Sequence, residues 1–84
     1  MKYIIFKQGT LFHPIVFAEH TSHCDVILKN AKPISAGFVK FNLAGVEEVY
    51  GESKSLNLKN RGQEDMQLLQ RMYLDLGTML FLEY

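Results

Sequence analysis

The stretch Asn60–Gly77, NRGQEDMQLLQRMYLDLG, decides the fold. From Met66 onward, Leu69, Met72, Tyr73 and Leu76 recur at three- and four-residue spacing, which lays one apolar stripe along a helix. Asn60 with Gln63 three positions on resembles a capping pair, and Glu64 and Asp65 suit the positive end of the helix dipole. Gly77 can take the left-handed conformation that closes a helix. The pattern predicts a helix over residues 61–76. Beyond it, TMLFLEY is too apolar for a frayed tail and should pack on the body, as a short strand or as more helix.

Upstream of that helix the composition is strand-like. Tyr3–Phe6 is β-branched or aromatic throughout, Gln8-Gly9 supplies a turn, and TLFHPIVFA resumes the same composition, which predicts an N-terminal hairpin. Pro14 has no amide hydrogen for a central ladder, so the second strand belongs at an edge or carries a bulge. Ser22 followed by Asp25 resembles a capping box and predicts a short helix from about His23 to Lys29. Pro33 then hands the chain to the strand ISAGFVKFN, LAG turns it, and VEEVYG follows as the partner strand. Val46 and Val49 fall on opposite faces of a regular strand, so that alternation is imperfect.

The order strand, strand, short helix, strand, strand, long helix describes an α+β domain: an antiparallel sheet of about four strands covered by one long C-terminal helix. A chain of 84 residues is sized for a single domain over residues 1–84. Nine basic and nine acidic residues leave a formal net charge of zero, so nucleic-acid contact would need a local patch. Cys24 is the only cysteine, which rules out an intramolecular disulfide and fits a reducing compartment; the cytoplasm is the expected location. The apolar runs are shorter than the h-region of a signal peptide or the roughly 18 residues of a membrane span, so neither secretion nor a membrane partner is expected.

Three constellations bear on chemistry. His20, His23 and Cys24, with His13 and Asp25 nearby, concentrate the metal-capable side chains. The adjacency of Cys24 to His23 and the lack of a second ligand pair argue against zinc, and no motif flanks Cys24 as a nucleophile; the alternative is a polar helix entrance with a buried cysteine. No cofactor is expected. SAGF, Ser35–Phe38, puts small residues into a strand, which marks a bulge or a close backbone approach, with the long helix favoured over a ligand.

The third constellation is GESKSLNLKNRG, Gly51–Gly62. It lacks the second glycine of a nucleophile elbow and the spacing of a P-loop. What remains is Ser53, Ser55, Asn57, Lys59, Asn60 and Arg61, with Lys54, leading into helix amides, and no acidic residue intervenes between Ser53 and Gln63. The combination suits a carboxylate or phosphate; equally, the hydroxyls and amides can cap the sheet-to-helix junction while the lysines are solvated. If the patch binds a partner, Arg61→Ala should weaken that partner and leave the melting temperature nearly unchanged.

PISAGFVKF, VYGESKSLNL and RGQEDMQLLQRM together resemble a pattern of small bacterial and phage proteins, with SAGF, GES-SL and R--ED as its most specific parts. The resemblance spans Pro33–Met72, leaves out the C-terminal LFLEY, and carries no catalytic residue. It implies an accessory product of a mobile element that binds host or viral macromolecules. The expected function is a non-enzymatic binding or regulatory module working through a protein partner or a small anionic ligand. The alternatives are a nucleotide or nucleic-acid binder using Lys54, Lys59 and Arg61, and a metal- or thiol-dependent enzyme around His20, His23 and Cys24. Met79, Leu80, Phe81, Leu82 and Tyr84 suggest a homodimer that buries part of the tail.

Overall fold

The structure, a computed structural model, describes the backbone of residues 1–82 and the side chains of residues 1–75. Strands β1 (Lys2–Gln8), β2 (Leu11–Phe17), β3 (Lys32–Asn42) and β4 (Gly45–Tyr50) form one antiparallel sheet in the order β2-β1-β3-β4. A two-stranded ribbon of β5 (Glu52–Ser53) and β6 (Leu58–Lys59) follows, and helix α1 (Gln63–Leu82) ends the described chain. This is the α+β architecture that the sequence predicts, with α1 packed on one face of the sheet.

The other face is covered as well, and that explains the unbroken apolar run in β1. Tyr3 and Ile5 point toward α1 and pack with Val39 and Leu69. Ile4 and Phe6 point the opposite way, with Ala36, under Val26, Leu28 and Ala31 from the β2–β3 connection and Leu56 and Leu58 from the ribbon. A central strand buried on both sides has no polar face to display, so its sequence does not alternate.

Two irregularities set which residues reach the core. At β3–β4 the pairing moves from Lys40↔Glu48 to Phe41↔Val46, so Glu47 is an extra residue. The bulge shifts the parity of β4 and lets Val46 and Val49 both pack on the α1 side, which resolves their imperfect alternation. At β1–β3 the pairing moves from Ile5↔Ser35 to Phe6↔Pro33, and Ile34, the inserted residue, joins the same cluster.

The sheet has two edges, and both are blunted. Pro14 lies in edge strand β2, as predicted. Gln8 and Leu11 pair across a two-residue turn and are therefore hydrogen-bonded; counting in twos puts Pro14 at a non-bonded position, with its nitrogen facing outward. No ladder bond is lost, and the exposed edge is short of one donor. On the opposite edge the Gln70 carboxamide accepts the Val46 N–H at 2.7 Å and donates to the Ala44 carbonyl at 3.2 Å. That is the pair of bonds one residue of a parallel neighbouring strand would make. Gly45 permits the approach: its φ is +127°, and a Cβ there would run into the Gln70 carboxamide.

Three boundary expectations are corrected. The short helix over 23–29 is a single 3-10 turn at His23–Asp25, closed by the Asp25 N–H on the Ser22 carbonyl, and the Ser22 side chain makes no capping bond. Val26 and Leu28 both reach the sheet while Ile27 between them is 83% exposed, a two-residue alternation that extended chain provides and a helix does not. The long helix starts at Gln63 rather than Arg61 and continues through Gly77 to Leu82, so the segment after Gly77 is helical there rather than a strand. The tail packing predicted for Met79, Leu80, Phe81, Leu82 and Tyr84 lies outside the described side chains.

Candidate functional site

The entry to α1 is organised by one buried carboxylate. Asp65 is fully buried and accepts bonds from the Tyr3 hydroxyl at 2.6 Å, the Ser35 hydroxyl at 2.9 Å, the Arg61 backbone N–H at 2.9 Å and Arg61 Nε at 2.9 Å. Four donors thus converge on two oxygens, which compensates an ionised carboxylate for leaving water. Burial, followed by the bond to Asp65 and its charge, pushes the Tyr3 phenol far above the usual tyrosine range, with Arg61 opposing. The capping pair predicted for Asn60 and Gln63 is replaced: Asn60 Oδ1 accepts from the Gly62 N–H, and Asp65 reaches back to Arg61.

The polar junction divides into inward and outward groups. Ser53 is buried; its hydroxyl accepts the Leu56 N–H at 3.2 Å and lies 3.3 Å from the Ser55 hydroxyl. Asn60 Nδ2 donates to the Gly51 carbonyl at 2.8 Å. Arg61, besides Asp65, bonds Glu64 at 3.2 Å and sets its guanidinium over the Phe12 ring, 5.9 Å from the centroid. Lys54, Ser55, Asn57 and Lys59 are exposed. Asn57 holds φ at +55° in the turn that its N–H closes onto the Lys54 carbonyl. The six sequence-predicted residues occupy one continuous segment; Ser53, with Ser55, and Asn60 bond within it, and Arg61 bonds the first turn of α1.

The small-residue strand segment is approached by two different partners. Gly37 lies against the Tyr50 and Gly51 carbonyls, where a Cβ would come within 2.7 Å of the former, so the crossing chain rather than the helix requires a glycine there. Ser35, by contrast, meets α1 through Asp65.

The histidine and cysteine cluster is dispersed. His23 is buried, donates from Nε2 to the Gly37 carbonyl at 3.0 Å, and presents its ring edge-on to Phe17 and Phe38. Cys24 is exposed, not buried as the sequence suggested, with its sulfur 3.2 Å from the Ser22 hydroxyl. Within the 3-10 turn His23–Asp25, His23 takes the side that faces the sheet and leaves Cys24 on the solvent side. Among the described residues no group of three or more His, Cys, Asp or Glu side chains is placed to hold a metal ion.

Sequence reasoning did not single out Tyr3, Asp65, Gln70 or Phe12 as organising residues. Asp65 carried a signal, an acid in the first turn of a strong helix, but its partners Tyr3 and Ser35 are distant in the chain. No helix of the described residues is long and apolar enough to cross a membrane. No protein-family model matches the chain, and comparison with curated proteins and with solved structures found no match.

Proposed function

We propose that this protein is a non-enzymatic binding module that engages an acidic surface of a partner protein through the turn between β5 and β6. The observation that carries the reading is the division of that turn. Leu56 and Leu58 pack on the sheet and Ser53 is buried beneath, while Lys54, Ser55, Asn57 and Lys59 face outward with no acid between Ser53 and Gln63. Because buried anchors fix the backbone of the display, binding has to order only the lysine side chains and not the loop that carries them. Opposite charges across such a contact set the partner and the on-rate. The resemblance to small bacterial and phage proteins supports an accessory role in a phage or mobile element.

Immobilised protein should retain a partner from an extract of its host, and Lys54→Glu with Lys59→Glu should abolish retention without moving the melting temperature. Ile27→Asp, at another exposed position, should leave retention intact. Retention that survives the double reversal would overturn the reading. Binding of labelled single-stranded DNA that weakens steeply with salt would replace the protein partner with nucleic acid.

A further inference from the structure

The outward surface of α1 carries chemistry that neither the core nor the β5–β6 turn uses. Two open grooves flank the helix. One, about 460 Å³, is lined by Leu11, Phe12, Pro14, Leu68 and Met72, together with Arg71 and Asp75. The other, about 570 Å³, brings Ala44, Val46 and Met66 of its lining together with the same Arg71 and Asp75. Residues shared by both grooves mark the crest between them. Leu11 is 60% and Phe12 41% exposed, so the first groove has an apolar wall in contact with water.

Arg71 and Asp75 stand one helical turn apart, yet neither forms an ion pair or hydrogen bond with any described residue. A two-fold axis across α1 between them would set Arg71 of each copy against Asp75 of the other, satisfying both charges twice through one self-complementary contact. With the two crests face to face, the copies would close over the grooves that flank each helix and shield Phe12, Leu68 and Met72 from water. Association through the sheet is disfavoured by Pro14 on one edge and by the Glu47 bulge and Gln70 on the other. From this charge pattern, the apolar grooves and the blunted edges, we infer that the occupant of the α1 surface is a second copy of this chain, docked as an antiparallel α1–α1 pair. The surface is distinct from the Lys54–Lys59 turn, so either proposal can fail alone.

Light scattering on size-exclusion fractions tests the pair. The wild-type chain should run at twice its 9.7 kDa mass. Arg71→Asp or Asp75→Arg alone places like charges at both contacts and should weaken the dimer about tenfold or more. The combined Arg71→Asp/Asp75→Arg chain restores the pairing with reversed polarity and should recover the dimer. A wild-type monomer at high concentration overturns the inference. So do single variants that stay fully dimeric, or a double variant that is monomeric while its circular dichroism and melting temperature match wild type.

Discussion

The Tyr3 hydroxyl donates to Asp65 at 2.6 Å across 62 positions of chain, tying the central strand to the first turn of α1. Ser35 and Arg61 complete the shell, so one carboxylate fixes where the helix begins and how it meets β1 and β3.

Removing that carboxylate should be among the most damaging single changes in the protein. Asp65→Ala leaves buried donors without an acceptor and should cost about 3–5 kcal/mol, whereas Tyr3→Phe should cost about 1.5–3 kcal/mol. Urea denaturation of Tyr3→Phe, Asp65→Asn and the double variant should reveal strong coupling; simple additivity would mean that the bond contributes little. Arg61→Ala should also destabilise, by about 1–3 kcal/mol, in place of the neutral effect expected when the arginine is read only as a surface cation.

Alkaline pH should unfold the protein partly through Tyr3. Its phenol is pushed up in the folded state, so folding retains a proton that the unfolded chain gives up near pH 10. The stability from this group is complete below about pH 10 and declines as the pH rises above it. A pH series of melting temperatures should fall more steeply for wild type than for Tyr3→Phe; parallel curves would remove Tyr3 from the account.

Gln70 should matter for solubility as well as stability. Gln70→Ala frees the Val46 N–H and the Ala44 carbonyl, costs about 1–2 kcal/mol, and reopens a sheet edge. Turbidity on prolonged warming should rise relative to wild type. Gly45→Ala should reproduce the effect by displacing the carboxamide, and a fully stable, non-aggregating Gly45→Ala chain would contradict the edge-cap role.

His23 should hold the β2–β3 connection on the sheet. His23→Ala removes its bond to Gly37 and its packing between Phe17 and Phe38, at about 2–3 kcal/mol. Hydrogen exchange should show protection lost first over residues 18–31. Uniform loss across the sheet would mean that this layer does not open separately.

Much of the architecture was legible because it rests on near neighbours. The three- and four-residue spacing of Leu69, Met72 and Tyr73 marks a helix, Gln8-Gly9 marks a turn, and the missing amide of Pro14 marks an edge, each through local sterics and hydrogen bonding. The α+β class and the N-terminal hairpin follow from those signals. The reading failed at His23–Lys29, where a plausible capping pattern was overridden by the need of Val26 and Leu28 to reach one sheet face. It stopped short of the tail because a helix can pass through a glycine when little else breaks it, at about 1 kcal/mol relative to alanine.

The junction exposes the boundary between the two kinds of information. Sequence alone identified Ser53, Ser55, Asn57, Lys59, Asn60 and Arg61 as polar groups beside a helix start. Only packing decided that Ser53, Asn60 and Arg61 bond within the chain while Lys54 and Lys59 face water. Periodicity and turn chemistry depend on atoms a few residues apart, and the chain states them outright. The partner of a polar side chain depends on which distant segment shares its dielectric environment, and for Tyr3, Ser35 and Asp65 that exists only once the sheet and helix have closed on each other.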